Sequence, residues 1–158
     1  GIAGAIGGLV GSSFGDKISK RLGSGPTLKF ALVTGPVGAI IIGLTHSWIV
    51  VFIVTAIESL GAVLWNLITV SLRQSVIPSH LIGRVNSVYR FFGWGTIPLG
   101  MIFGGAIVSL LQNFIIREYA LRAPYLISAI IGAVIFILAA PFLTTSRIDA
   151  VKGEATEK

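Results

Sequence analysis

Long stretches without any acidic or basic side chain divide this chain into segments. Residues 30–57 and 59–72 form one such stretch, interrupted only by Glu58, and residues 91–116 and 123–146 form two more. A bilayer core of about 30 Å needs roughly 20 apolar residues in a helix. Residues 30–72 are too long for one helix, so the polar triplet at 45–47 is expected to be a turn. The pattern predicts complete transmembrane helices at 28–45, 48–71, 88–112 and 123–144.

Neither end of the chain is predicted to be a complete transmembrane helix. Residues 1–14 are apolar but too few to cross a membrane, so we interpret them as the end of a transmembrane helix that begins further upstream. Residues 147–158 are polar and are expected to form a short, disordered cytoplasmic tail. The predicted fold is an all-α integral membrane bundle over residues 1–146, with four complete helices and one truncated helix at the start.

Composition strengthens the membrane interpretation. Of the 158 residues, 54% are apolar and 11% are charged, and mean hydropathy is +0.91. An ordinary soluble domain is about a quarter charged, so a soluble globular enzyme is excluded. A soluble helical bundle would need polar faces on its helices, whereas these segments are apolar nearly all round.

The basic residues alternate between the two sides of the predicted membrane. Segments on one side carry ten of the twelve Lys and Arg residues, and the other side carries only Arg117 and Arg122. The ten are Lys17, Lys20, Arg21, Lys29, Arg73, Arg84, Arg90, Arg147, Lys152 and Lys158. Basic loops stay in the cytoplasm, so we expect a multi-pass protein of the cytoplasmic (inner) membrane with a cytoplasmic C-terminus. The net charge of +6 thus reflects topology, and no nucleic-acid partner is expected.

Few residues are available for metal or cofactor chemistry. The chain has no cysteine, and its two histidines, His46 and His80, have no nearby carboxylate in the sequence. We expect no metal site and no bound cofactor, and interpret both histidines as solvated. Arg117, Glu118 and Arg122 are expected to form an exposed outer loop.

Glycines recur four residues apart in the opening segment: Gly4 with Gly8, Gly7 with Gly11, and Gly11 with Gly15. Small residues at this spacing let helices approach closely in lipid. Two interpretations stay open, which are static helix packing and a sliding contact between moving helices.

The segment that follows carries a family motif. Residues 12–21, SSFGDKISKR, resemble the cytoplasmic-loop signature of the major facilitator superfamily, G-x-L-A-D-R-x-G-R-R. The matching positions are Asp16, Lys17, Lys20 and Arg21, whereas Ser12 and Ser19 replace glycines. The resemblance implies a latch in which the carboxylate caps a helix N-terminus in the other half of the transporter. A charged loop that obeys the positive-inside rule is the simpler alternative.

A second segment also resembles this superfamily. Residues 72–78 and 83–90 look like the loop between helices ten and eleven in the drug-, macrolide- and siderophore-efflux branch of this superfamily. The glycines and Pro98 that follow also look like the segment after that loop. The matching loop residues that we single out are Arg73, Gly83, Arg84 and Arg90. The resemblance implies that the chain is the C-terminal half of such a transporter, from the end of helix eight to helix twelve.

Glu58 is the candidate for chemistry within the membrane. It is the only acid in the predicted span 48–71 and lies near its middle, and an ionisable residue in hydrocarbon usually faces a cavity or a partner. At about 100° per residue, Glu58, Trp65 and Asn66 fall on one stripe of the helix. We expect Glu58 to exchange a proton or meet a cationic substrate, with Trp65 and Asn66 shaping the pocket. The alternative is a structural carboxyl group bonded to a neighbouring helix.

The resemblance implies transport by alternating access, with no covalent reaction and therefore no enzyme activity. We expect proton-driven export of drugs or similar small hydrophobic molecules. The expected partners are the lipid bilayer, the small-molecule substrate and the N-terminal half of the transporter. An uptake permease of the same fold, and a non-transporting remnant or assembly partner, remain alternatives.

Overall fold

The computed structural model describes residues 1–146, 148 and 150, which form five long α-helices and no strand among those residues. The helices are α1 (Ile2–Leu22), α2 (Ser24–Leu44), α3 (Trp48–Val76), α4 (Ser79–Leu111) and α5 (Arg117–Ala139). Helices α2 to α5 are each long and apolar enough to cross a bilayer. The predicted all-α, multi-span membrane architecture is confirmed at that level, and the turn at 45–47 lies where the polar triplet indicated.

The predicted loop between the first two helices is absent. Helices α1 and α2 meet at Gly23 alone, whose φ of 85° lies in the left-handed region. Glycine has no Cβ and adopts this conformation without strain, so the chain turns within one residue. The charged segment after Gly15 is helical because Lys and Arg are good helix formers. The charged residues therefore end the apolar stretch of the sequence without ending the helix.

The second predicted loop is also mostly helical. Helix α3 continues to Val76 and α4 begins at Ser79, with extended backbone at Ile77 (φ −95°, ψ 127°). Proline lacks an N–H and disfavours the α conformation of the residue before it, so Pro78 sets this short break. With 33 residues at about 1.5 Å each, α4 is about 50 Å long. It therefore extends well beyond a bilayer core of about 30 Å.

The last helix is displaced towards the N-terminus relative to the predicted span. Helix α5 begins at Arg117 and ends at Ala139, whereas the apolar pattern extends to residue 144. Pro141 lies just beyond the helix end, where a residue without an N–H cannot continue the ladder. The predicted outer loop at 117–122 is consequently the first turn and a half of α5, so that expectation is wrong.

Glycines allow close contact between α1 and α3, which run parallel. A Cβ on Gly7 would collide with the backbone of Ala56, and a Cβ on Gly11 would lie 2.9 Å from Cβ of Val63. Gly15 is also buried against α3. The close packing expected from the small-residue spacing is present at these positions. Gly8, in contrast, has no neighbour within 4 Å.

Helix α2 lies at the centre of the bundle, between α3 and α5. It contacts α5 through Pro36, which packs against Gly132, and through Gly43, which packs against Leu126. Helix α4 touches mainly α5 and only meets α3 near its own start. None of the described residues in the apolar part of α4 is buried in the bundle, as suits a surface facing lipid or other helices.

The chain after α5 folds back onto the bundle. Ile148 is 7% exposed and packs with Leu28 and Ile68, and the Gly25 N–H donates to Oγ1 of Thr145 over 3.2 Å. The expectation of disorder directly after Ser146 is wrong at Ile148, because this apolar side chain finds an apolar groove between the ends of α2 and α3. The other tail residues named above, Arg147, Lys152 and Lys158, lie outside the described residues.

Candidate functional site

Glu58 projects from α3 towards α2 and is half-buried there. It fits because Gly38 of α2 has no side chain: a Cβ at Gly38 would lie 2.7 Å from Cδ of Glu58. Within the described part of the chain, the Glu58 carboxylate makes no hydrogen bond and no ion pair. A polar group taken out of water without a partner costs folding free energy, and the half-buried Glu58 side chain is partly removed from solvent in this way.

Two grooves meet at Glu58. The first, of about 210 Å³, lies between α2 and α3, and apart from Thr34 and Glu58 its lining is apolar or glycine. The second, of about 390 Å³, lies between α2 and α5 and adds the hydroxyl groups of Tyr125 and Ser128. A carboxylate bordered by apolar walls can hold a proton or pair with a cation on an otherwise apolar molecule.

Trp65 and Asn66 line neither of these grooves. Trp65 is half-buried two turns along α3 and packs against the cluster of Leu28 and Ile68. Asn66 is exposed, and its amide donates to the carbonyl of Ala62 over 2.9 Å. The three residues of the predicted stripe therefore have different surroundings, because α2 covers the edge of α3 that carries Glu58 and leaves the edge that carries Asn66 exposed.

The structure instead brings Asn66 to Asp16. Both line a groove of about 480 Å³ between α1 and α3, together with Ser12 and Gln74. Asp16 lies nearly two turns before the end of α1, and Lys17, Lys20 and Arg21 follow it. The basic residues at this helix C-terminus interact favourably with its dipole. Among the described residues, none of these four charged groups has an ion-pair partner.

The second motif segment surrounds the break between α3 and α4. Arg73 donates from Nε to the carbonyl of Thr69 over 3.2 Å, and its guanidinium lies 3.9 Å from the ring centroid of Tyr89. One guanidinium nitrogen of Arg73, Nη1, is buried without a hydrogen-bond partner in the described structure. Arg84 and Arg90 are exposed on the first turns of α4, and Gly83 has no neighbour within 4 Å. Neither motif segment contacts Glu58.

Sequence reasoning missed a polar cluster at the opposite end of the bundle. Oε1 of Glu118 lies 3.0 Å from Nε2 of His46 and 2.8 Å from Nη2 of Arg122. Arg122 also approaches Nε2 of His46 at 2.6 Å and the carbonyl of Leu44 at 3.4 Å. The cluster ties the α2–α3 turn to α5, while the side chains of His46 and Glu118 stay 75% and 55% exposed. The sequence could have indicated this contact, since the turn at 45–47 and the segment around Glu118 fall on the same predicted side of the membrane.

No family model, curated protein or solved structure matches this chain. The resemblance to the major facilitator superfamily therefore depends on the two motif segments alone.

Proposed function

We propose that this chain is part of a proton-coupled transporter of the major facilitator type, which exports small hydrophobic molecules. The observation that carries the proposal is Glu58: an unpartnered carboxylate, midway along α3, at the meeting point of two apolar grooves. Transporter sites lie near the middle of the bilayer, and acids there commonly relay protons.

The open faces of the bundle support a partner in this function. The edge of α3 around Asn66 borders only an open groove against α1, and α4 packs mainly against α5, so most of its surface is uncovered. In the proposal, the N-terminal half of the transporter covers these open faces. In the proposal, the α1–α2 end and the C-terminus lie on the cytoplasmic side of the inner membrane, which the basic residues at that end support.

Proton flux in proteoliposomes tests the transport proposal. The whole protein, purified from its native membrane, is reconstituted with a pH-sensitive dye inside, and a lipophilic amine is added outside. We expect amine-dependent proton flux that is lost in Glu58→Gln and kept in Glu118→Gln, which removes an acid at the outer end. Equal flux in wild type and Glu58→Gln would exclude the proton role. The direction in which amine accumulates separates export from uptake, and no flux from any intact protein favours an assembly partner.

Orientation has a separate test that uses the absence of cysteine from the sequence. Arg84→Cys and Asn113→Cys each introduce one thiol at opposite ends of α4. In right-side-out vesicles, a membrane-impermeant maleimide is expected to label the cysteine at 113 and not the one at 84. The reverse pattern would invert the proposed topology.

A further inference from the structure

One end of the bundle carries positive charge that the chain itself does not neutralise. We call this the basic end; it is where α1 ends, α2 begins, α3 ends and α4 begins. Its described cations are Lys17, Lys20, Arg21, Lys29, Arg73, Arg84 and Arg90. Asp16 is the one acid in these described segments, and none of the seven cations forms an ion pair with a described residue. At the opposite end, Arg122 is paired with Glu118.

The first three turns of α4 are an amphipathic helix. At about 100° per residue, His80, Arg84 and Arg90 fall on one side and Leu81, Val85 and Val88 on the other. Those three apolar side chains are all exposed. Residues 91–111 alone are long enough to cross the bilayer core, so residues 79–90 extend beyond it. A basic amphipathic helix with an open apolar face is typical of a segment at the lipid–water interface.

Cations at this end lie beside aromatic rings. The guanidinium of Arg73 lies 3.9 Å from the centroid of Tyr89, and that of Arg90 lies 5.6 Å from the centroid of Trp94. Aromatic side chains of membrane proteins concentrate at the headgroup level. The pairs therefore favour a position of this end at the depth of lipid phosphates, where exposed guanidinium N–H groups such as those of Arg84 and Arg90 can donate to phosphate oxygens.

We propose that the basic end binds anionic phospholipids, with Arg84 and Arg90 contacting the headgroup phosphates and the apolar side of residues 79–90 lying against the acyl-chain boundary. Charge complementarity selects this occupant, since the described part of the patch carries seven cations and one acid. The binding is independent of transport, so it stands or falls separately from the function proposed above.

Lipid titration of the intact protein tests this surface. The detergent-purified protein is titrated with phosphatidylglycerol or phosphatidylcholine of equal chain length, and bound lipid is counted by native mass spectrometry. Removal of one interfacial cation is expected to weaken the preference for phosphatidylglycerol about fivefold. We therefore expect about a fivefold loss in Arg84→Gln and about a 25-fold loss when Arg90→Gln is added. Arg84 is the primary variant because no described residue pairs with it.

Arg117→Gln is the matched control, since it also removes an exposed arginine from the first turns of a helix but at the opposite end. Its lipid preference is expected to equal that of wild type. An equal loss in Arg117→Gln, or no loss in the double variant, would overturn the proposal. Displacement of phosphatidylglycerol by inorganic phosphate or by polyglutamate at matched charge concentration would also overturn it. Those results would indicate a free-anion site or an acidic protein partner, respectively.

Discussion

The Glu58 side chain on α3 packs against Gly38 on α2. The carboxylate occupies the space that a Cβ at position 38 would need, with Cδ of Glu58 only 2.7 Å from that Cβ position. Because the two helices are otherwise apolar here, the absence of one side chain on α2 creates room for the one acid on α3. Predictions about the candidate site begin from this pair.

Gly38→Ala should displace the Glu58 side chain and destabilise the bundle. Overpacking typically costs 1–3 kcal/mol and Ala gains about 1 kcal/mol of helix propensity, so we expect a net loss of about 0–2 kcal/mol. The loss lies towards the lower end because the atoms in the way belong to the flexible end of the Glu58 side chain. Gly35→Ala is the matched control on α2, because position 35 has no neighbour within 4 Å. Thermal unfolding in detergent measures both, and equal melting temperatures for the two variants would contradict the close contact.

Glu58→Gln should raise stability while it removes proton coupling. The carboxylate is half-buried beside apolar side chains and has no hydrogen-bond partner among the described residues. Replacing the charge by a neutral amide lowers the cost of taking this side chain out of water. We expect a higher melting temperature together with a loss of proton flux. Gln74→Glu, which makes the reverse change at an exposed position of the same helix, is the control for a change of charge alone. A lower melting temperature would instead support the structural role for Glu58.

Gly7→Ala should separate α1 from α3. A Cβ at position 7 would overlap the backbone of Ala56, which cannot move as a flexible side chain can. We expect a loss of about 3 kcal/mol, the upper part of the usual range for overpacking. Gly8→Ala, one residue along the same helix and facing open space, should be neutral or slightly stabilising. Chemical unfolding of the two proteins side by side provides the comparison, and similar unfolding curves would argue against the helix contact.

Glu118→Gln should loosen the contact between the end of α2 and the start of α5. Glu118 contacts both His46 and Arg122, although its side chain is 55% exposed. Exposed ion pairs contribute about 0.2–1 kcal/mol, so the expected loss lies in that range. A double-mutant cycle between Glu118→Gln and His46→Ala isolates the pair, and Arg117→Gln serves as the control. A coupling free energy of zero would mean that the two side chains do not interact in solution.

The two motif segments show that charged residues in the sequence do not predict where helices end. The charges of Asp16, Lys17 and Arg73 end the apolar stretches of the sequence, but they do not end the helices. A single φ at Gly23 and the ring of Pro78 set those ends. The resemblance to a transporter family and the proposed transport function remain predictions, since neither fold nor packing distinguishes a transporter from another helical membrane protein.

The sequence by itself determined the membrane-spanning helices, because hydrocarbon accepts only long apolar segments whose backbone groups are satisfied internally. It also determined Glu58 as the one acid within a span. Only the tertiary structure decided that Glu58 faces Gly38, that Trp65 and Asn66 lie apart from it, and that His46 meets Glu118. These contacts join residues distant in the chain, and the order in which helices pack depends on the fit of side chains between them. Hydropathy along the sequence does not predict how the side chains of different helices pack together.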